Sequence, residues 1–279
     1  MENSTRHIYG MALQLALRTN LPLPIPEHST LNELLAIEKD VAIPSNVYPT
    51  TKLAVIGRGG AQVVVGSDNT NLLASASHEP NDSGLFKMIP FAMREITADF
   101  DSATINKYRL RRIETHNGVR YAAYYAKLLD FSSSQVSLEY RVENNNVITT
   151  TPFAPTTADL NPTPTVLNTS GVNTTTKDYL ASSVKFYLKL SVEDVAEIRN
   201  VCNIIYGDPR YAVITEIGIC SGVDHTSMGD FNGTQLPYTE SIGTQINNSV
   251  SCSYTLNSGA PQLEIGLSLS AIAPRLTAS

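Results

Sequence analysis

The sequence predicts an α+β fold, made predominantly of antiparallel β-strands in sandwich or barrel-like sheets, with a few helices. Two patterns support this prediction. Apolar and polar residues alternate in several stretches, such as residues 136–142 and 184–190, and a period of two is typical of strands with one solvated face. Residues 192–206 instead space their apolar side chains at the period of an amphipathic helix.

The first fifty residues are predicted to form an N-terminal arm and a short helix. Residues 21–26 read Leu-Pro-Leu-Pro-Ile-Pro, and the prolines favour an extended segment that lies over another surface. Thr30 and Glu33 have the spacing of a capping box, so a helix is expected over about residues 31–39. We expect residues 1–26 to be an assembly element outside the core, and the interface candidates within it are Pro22, Pro24 and Pro26.

Residues 51–150 are predicted to form a β-rich domain. Asn117-Gly118 separates two apolar runs, at residues 108–115 and 119–129, and Asn-Gly is a strong signal for a β-hairpin. The three asparagines at residues 144–146 interrupt a second alternating run in the same way. Two hairpins are therefore expected in this domain.

A glycine-rich segment at residues 57–60 follows a predicted strand. Dinucleotide-binding loops need a third glycine at a fixed spacing and a helix directly afterwards. Gln62 occupies the position of the third glycine, and Val63-Val64-Val65 continues as a strand. The segment is therefore predicted to be a hairpin or a bulge rather than a nucleotide site.

Residues 151–176 are predicted to be a Thr-, Pro- and Asn-rich loop or linker. Asp159 is their only charged residue, and the segment holds four prolines and shows no sustained periodicity. Two interpretations stay open at this point. The segment is either a surface excursion that contacts a partner, and hence an assembly element like the arm, or a mobile linker.

Residues 177–279 are predicted to form an α+β region, either separately or as one composite domain with residues 51–150. The helix over residues 192–206 begins after Ser191, a suitable N-cap, and ends before Gly207, a suitable C-cap. A strand is expected to follow. One face of the helix, comprising Val195, Ile198, Val201 and Ile205, is expected to pack on the strand residues Phe186, Leu188 and Ile217.

The sequence contains no recognisable catalytic motif. Ser221, Asp224 and His225 are the residue types of a hydrolytic triad, but triad members converge from separate segments, so a polar turn after a strand is predicted instead. Asp224, His225 and Asp230 could ligate a metal, yet the histidines lack paired spacing. We therefore predict a protein that is not an enzyme and that has no cofactor and no small-molecule substrate.

Basic residues cluster at residues 107–112, and tyrosines follow them at residues 121–125. This mixture suits either single-stranded nucleic acid or ion pairs with a neighbouring chain. The neighbouring chain is favoured and no nucleic acid is expected, because 20 Lys and Arg against 26 Asp and Glu give a net charge of −6. The interface candidates here are Arg109, Arg111, Tyr124 and Tyr125.

The composition is also compatible with assembly. Only 16% of the residues are charged, against a usual share of about 25%. Thr, Asn and Ser can be buried against another subunit at a lower cost than ions, although a β-rich protein has the same composition for other reasons. Three cysteines cannot form a closed disulfide framework, and no apolar run is long enough for a membrane span, so a soluble protein without a membrane partner is predicted.

Two stretches of the C-terminal third resemble virion structural proteins of tailed bacteriophages. They are residues 192–225, which include Ile-Thr-Glu-Ile-Gly-Ile-Cys-Ser-Gly-Val-Asp, and residues 238–243, Tyr-Thr-Glu-Ser-Ile-Gly. The resemblance covers about a third of the chain. It implies a non-enzymatic subunit of the virion, assembled in the host cytoplasm as a homo-oligomeric ring or collar of the neck, tail or baseplate, with other virion structural proteins as partners and no catalytic residues to carry over.

Three other functions stay open at this stage. A host-receptor or carbohydrate-binding module would have a groove of aromatic rings and carboxylates, although the absence of Trp counts against it. A capsid decoration protein is a further structural alternative. A hydrolase would use Ser221 or Asp224.

Overall fold

The computed structural model describes residues 3–65, 71–145, 147–164, 173–257 and 262–277. It confirms the predicted class, because open, mainly antiparallel sheets are combined with a few helices. The chain forms two compact units, Met1–Leu129 with Lys189–Leu263, and Asp130–Leu188 with Glu264–Ser279. This division differs from the predicted boundaries at residues 50, 150 and 176. Most of the predicted C-terminal region does combine with residues 51–129, but the remainder joins residues 130–150 in the second unit.

The strands are β1 (Asn3–Arg6), β2 (Thr50–Gly57), β3 (Ala61–Val65), β4 (Asn71–Ser75), β5 (Met88–Ile89), β6 (Ala92–Glu95), β7 (Tyr108–His116), β8 (Val119–Leu128), β9 (Val136–Asn144), β10 (Val147–Pro152), β11 (Asn173–Leu190), β12 (Val213–Phe231), β13 (Thr234–Thr255) and β14 (Leu263–Thr277). The helices are α1 (Ile8–Thr19), α2 (Leu31–Leu35), α3 (Ser102–Ile105), α4 (Thr157–Leu160) and α5 (Val192–Tyr206), and 3₁₀ turns lie at Ile96–Ala98 and Pro209–Tyr211.

The first unit is built on an eight-stranded sheet with the order β1-β13-β12-β2-β8-β6. Neighbouring strands run antiparallel, and β5 and β7 add to β2 and β8. Side chains from β2, β6, β7, β13 and α5 form a buried cluster beneath it, which includes Leu53, Met93, Leu110, Ile246 and Val201. This core fixes the strands that carry the charged residues described below.

The second unit contains a four-stranded sheet with the order β10-β9-β11-β14. Both predicted hairpins are present, because β7 pairs with β8 in the first unit and β9 pairs with β10 in the second. Asn117 and Gly118 both have positive φ angles, 50° and 80°, which the right-handed twist of a two-residue hairpin requires. In the second hairpin, Asn146 lies outside the described residues.

The predicted linker is partly regular in structure. Its first two residues belong to β10, and its residues 173–176 begin β11. Thr156 and Asp159 form a capping box at the start of α4, where the Asp159 carboxylate accepts from the Thr156 amide at 2.7 Å. Residues 165–172 of this segment lie outside the described part of the chain. Because both ends of residues 151–176 belong to strands, the irregular part of this segment is shorter than the composition predicted.

The predicted assembly arm is partly wrong, because residues 3–19 belong to the fold of the first unit. Strand β1 pairs with β13, and α1 packs on β13 with Leu13 and Ala16 buried. Gly10 permits this approach, since a Cβ atom there would lie 2.9 Å from the carbonyl oxygen of Asn247. Residues 21–26 remain irregular as predicted, and Pro22, Pro24 and Pro26 are exposed.

Helix α2 is shorter than predicted. Its capping box is present, and the Thr30 hydroxyl accepts from the Glu33 amide at 3.2 Å. The helix ends after Leu35 because Ala36 adopts a left-handed conformation with φ of 54°. The predicted continuation to residue 39 is therefore wrong.

The glycine segment at residues 57–60 is neither a hairpin nor a bulge. Strand β2 pairs with β12, β8 and β5, whereas β3 pairs with β4. The Gly60 amide donates to the Thr215 hydroxyl at 2.9 Å, and the Gly59 amide donates to the Glu216 carboxylate at 2.7 Å. The glycines thus let this crossing segment lie directly against β12, where a Cβ atom on Gly60 would collide with the Thr215 backbone.

The predicted turn at residues 221–225 is also wrong, because these residues lie inside β12. This strand and β13 form a long hairpin that closes at Asn232-Gly233. Register shifts occur between Ile219 and Cys220 and between Ser221 and Val223. Such bulges interrupt the alternation of apolar and polar residues in β12. The sequence of this continuous strand therefore resembles that of a strand followed by a turn.

Helix α5 has the predicted bounds. The Ser191 hydroxyl accepts from the Asp194 amide, the Asp194 carboxylate accepts from the Ser191 amide, and Gly207 ends the helix in the left-handed conformation. Ile198 is fully buried, and the helix contacts β6, which the prediction did not include. Phe186 and Leu188, the expected packing partners, lie on the part of β11 that belongs to the second unit.

Candidate functional site

A strained backbone position at Leu110 organises the basic cluster of β7. Leu110 has a positive φ of 57°, which is strained for a residue with a branched side chain. The Arg111 amide donates to Glu240 Oε2 at 2.9 Å, and the Leu110 amide donates to the other oxygen. Glu240 is fully buried and also accepts from the Ser241 amide at 2.7 Å. Burial raises the pKa of Glu240, and these backbone donors oppose the rise.

Arg111 is held from several sides. Its Nη2 atom donates to Asp99 Oδ2 at 2.8 Å and to the Asp230 carbonyl at 2.7 Å. The Tyr124 hydroxyl donates to Asp99 Oδ1 at 2.7 Å, and burial raises the Tyr124 pKa. The Arg111 guanidinium lies over the Phe231 ring, 4.2 Å from its centroid. This group therefore joins β7, β8 and the end of β12 into one charged network.

Arg109 and Tyr125 also have partners within the chain. Arg109 Nε donates to Asp224 Oδ1 at 3.0 Å, and Lys52 lies 3.0 Å from the same oxygen. Burial alone would raise the Asp224 pKa, but the hydrogen bonds and charges of Arg109 and Lys52 outweigh it and lower the pKa. The Tyr125 hydroxyl donates to Glu114 at 2.5 Å.

These contacts correct the prediction that four residues of the basic cluster meet a neighbouring chain. Their side chains are at most 7% exposed, and their acidic partners come from the same chain; the four are Arg109, Arg111, Tyr124 and Tyr125. Sequence reasoning expected these partners on a neighbouring chain, because Asp224 on β12 and Glu240 on β13 lie more than a hundred positions away from the cluster. The proline candidates, in contrast, are exposed.

A cavity of about 590 Å³ lies beside the Arg111 network, between residues 96–106 and the end of the β12–β13 hairpin. We call it the aromatic groove, because the rings of Phe100, Phe231 and Tyr238 line it. A Cβ atom on Gly229 would lie 2.9 Å from the Tyr238 ring and 3.0 Å from the Phe231 ring. Only glycine therefore lets both rings pack over β12. Two carboxylates, Asp99 and Asp101, and the side chains of Asn106, Thr226, Asn232, Leu236, Pro237 and Thr239 also line the groove.

A second buried network was not predicted. His78 Nε2 lies 2.9 Å from Glu216 Oε2, and His78 Nδ1 lies 3.0 Å from Asp82 Oδ2. Glu216 also accepts from the amides of Gly59, Phe86 and Lys87 at 2.7 to 3.0 Å. No local pattern could have indicated this pair, because its two members are 138 residues apart.

The ion pair between His78 and Glu216 shifts the pKa values of its two members in opposite directions. Burial lowers the His78 pKa, but the hydrogen bonds to Glu216 and Asp82 outweigh it, so the pKa rises above 6.5. For Glu216, burial raises the pKa, but the hydrogen bonds of His78 and the backbone amides outweigh it and lower the pKa below 4.5. Nearby His7 contacts the Asp82 carbonyl and Ser249, and burial lowers its pKa, so it is neutral above about pH 7.

We expect the free energy of unfolding to fall as the pH rises above about 6.5, the ordinary pKa of a histidine. A histidine whose pKa is higher in the folded chain stabilises it below the unfolded pKa and loses this contribution as the pH passes the folded value. The variant His78→Gln should be less stable than the parent and should lack this slope. Urea unfolding at several pH values measures it, and an equal slope in both proteins would contradict the assignment.

The residues that sequence reasoning considered for catalysis or metal binding do not come together. Ser221 is buried and donates to Asn247 Oδ1 at 3.1 Å, and Asp224 is paired with Arg109 and Lys52. Among the described residues, no three His, Cys, Asp or Glu side chains are grouped to hold a metal ion. The three cysteines, Cys202, Cys220 and Cys252, are buried free thiols. No helix in the described ranges is long and apolar enough to cross a membrane.

The chain was compared with curated proteins, solved structures and family models. No curated protein and no solved structure matches the chain. A family model does match, over residues 1–279, and its description is a family of unknown function, DUF7208. The chain therefore belongs to the DUF7208 family.

Proposed function

We propose that the chain is a non-enzymatic structural subunit that assembles with copies of itself into a ring or collar. The setting we propose is the neck, tail or baseplate of a phage virion, with other virion structural proteins as further partners. The virion setting rests on the resemblance of residues 192–225 and 238–243 to virion structural proteins of tailed bacteriophages. The proposal that copies of the chain assemble rests on apolar side chains exposed at the surface of the molecule. One surface feature supports it most strongly.

That feature is the hairpin of β3 and β4. Val63, Val64 and Val65 follow one another in β3 with exposed fractions of 66%, 46% and 64%. Among the described strands, β3 and β4 pair only with each other. An isolated two-stranded hairpin is marginally stable in water, and its two strands contain no charged residue of the kind that protects exposed edges. A neighbouring subunit that covers the valines would stabilise it.

Helix α1 offers a second apolar surface. Ile8, Met11 and Leu15 lie at positions i, i+3 and i+7 and are 49%, 42% and 62% exposed. The opposite face of the helix packs on β13, beside β1 at the end of the sheet. Some charged side chains of the first unit meanwhile pair inside the molecule, such as Arg111 with Asp99 and His78 with Glu216. Exposed apolar side chains of this kind are typical of surfaces that contact another protein.

The double variant Val63→Ser/Val65→Ser tests this proposal. We expect the parent to sediment as an oligomer and the variant to sediment mainly as single chains, because the apolar contact is lost. The melting temperature of the isolated subunit should be unchanged, since both side chains face solvent there. The matched control is Val192→Ser, which removes another exposed valine, at the first turn of α5. Equal oligomerisation of parent, double variant and control would contradict the role of the hairpin.

A carbohydrate- or host-receptor-binding module is the second candidate. The aromatic groove favours it, because the groove combines three rings with two carboxylates. Asp99, however, is 5% exposed as a side chain and is already paired with Arg111. The structural function is therefore preferred, and binding of oligosaccharides to the purified chain would reverse this preference.

A further inference from the structure

We propose that residues 21–26 of one copy, here called the proline segment, dock in the aromatic groove of the next copy. The inference rests on the proposed function, because it requires a second copy of the chain. It names the two surfaces that meet and the direction in which copies join.

The proline segment is ordered in the chain, and its three prolines are exposed. Leu21 is 60% exposed, and the three prolines restrict the backbone to extended conformations. Both ends of the segment are anchored: the Tyr48 hydroxyl donates to the Leu21 carbonyl at 3.0 Å, and the Ser29 hydroxyl donates to the Pro26 carbonyl at 2.6 Å. A segment that is already ordered loses little entropy when it binds.

The aromatic groove has the chemistry that proline-rich segments bind. Such segments dock on aromatic-lined grooves, where proline rings pack on aromatic faces and polar side chains bind the free backbone carbonyls. Phe231 and Tyr238 meet edge to face, with centroids 5.9 Å apart, and the Arg111 guanidinium packs on the Phe231 ring. Asn106 and Asn232 line the same cavity and can donate to carbonyl oxygens. The rings are therefore fixed before an occupant arrives.

Charge favours one orientation of the segment. Arg18, three residues before Leu21, is exposed at the end of α1. Asp101 lines the groove and is exposed, and its hydrogen bond from the Thr104 amide lowers its pKa, so the carboxylate is ionised at neutral pH. We expect Arg18 of one copy to lie near Asp101 of the next.

The two surfaces are different, so the contact is heterologous. A heterologous contact joins copies head to tail and generates a closed ring when the rotation between copies closes. This is the type of assembly that the proposed function requires. A two-fold contact between identical surfaces would instead stop at a dimer.

The experiment uses the full chain with Pro22, Pro24 and Pro26 changed to alanine, which leaves the groove free. The probe is a synthetic peptide of residues 18–27, Arg-Thr-Asn-Leu-Pro-Leu-Pro-Ile-Pro-Glu, titrated by calorimetry. We expect saturable binding that is weakened about tenfold or more by Leu236→Lys, because that side chain lines the groove. Met228→Lys is the matched control, because Met228 is exposed on the same hairpin outside the groove.

A double-mutant cycle then tests the charge contact. Asp101→Asn keeps a side chain that can cap α3, and a peptide with Arg18→Gln removes the partner charge. Either change should weaken binding, and the two together should weaken it no further than one alone. Additive losses would overturn the proposed orientation.

Three results would overturn the docking itself. They are equal binding of the natural peptide and a peptide with alanine for the three prolines, binding that survives Leu236→Lys, and occupation of the groove by an oligosaccharide that the peptide cannot displace. If the parent chain assembles but any of these three results is obtained, the docking is wrong and the proposed function is not contradicted. A parent chain that stays single while the peptide binds the groove would instead contradict the proposed function.

Discussion

Replacing Glu216 with alanine should lower the free energy of unfolding by about 4 kcal/mol, because removing one partner of a buried ion pair typically costs 3–5 kcal/mol. Glu216 is fully buried on β12, and its carboxylate accepts from three backbone amides as well as from His78. The variant would leave these donors without an acceptor in the interior. Denaturant unfolding followed by circular dichroism measures the loss.

Two further variants make the Glu216 result specific. Glu216→Gln keeps an oxygen acceptor but loses the charge, so its stability should fall between those of the parent and the alanine variant. Glu79→Ala removes an exposed glutamate from the neighbourhood of His78 and should change the free energy by less than about 0.5 kcal/mol. A Glu216→Ala protein as stable as Glu79→Ala would show that the amides and His78 find other partners.

Replacing Ile198 with aspartate should lower the free energy of unfolding by more than about 4 kcal/mol, because it removes a buried apolar side chain and places a carboxylate there. Ile198 is fully buried at the centre of α5, between Val195 and Val201, which are also buried. The thermal melting temperature, followed by circular dichroism, gives the effect. Val192→Asp is the control.

The control places the same charge at an exposed position of the same helix. Val192 is 55% exposed in the first turn of α5, where a negative charge interacts favourably with the helix dipole. Val192→Asp should therefore melt at or slightly above the temperature of the parent. If Ile198→Asp melted at the same temperature as the parent, the buried face of α5 would be wrongly assigned.

Elements whose determinants are local could be predicted from the sequence. Helix α5 has its start and stop signals within the same twenty residues, since Ser191 caps one end and Gly207 the other. The β7–β8 hairpin depends on Asn117 and Gly118, whose positive φ angles suit the turn. In both cases the residues that decide the structure are neighbours in sequence, so their spacing alone is informative.

Features that depend on distant partners could not be predicted. Arg111 has the sequence surroundings of an exposed basic residue, yet Asp99 and Glu240 bind its side chain and amide in the interior. His78 and Glu216 meet although 138 residues separate them. The aromatic groove likewise combines Phe100 with Phe231 and Tyr238, which only the folded chain brings together. Residue types were visible in these cases, but their pairing depends on the topology of the sheet.

The mass of the purified chain in solution tests the central proposal, that this protein is an assembly subunit, most directly. Light scattering coupled to size-exclusion chromatography gives this mass over a range of concentrations. We predict a particle whose mass is a multiple of the 30.3 kDa chain and which appears as closed rings by negative-stain microscopy. A mass of 30.3 kDa at every concentration, with no larger particle, would contradict the proposal.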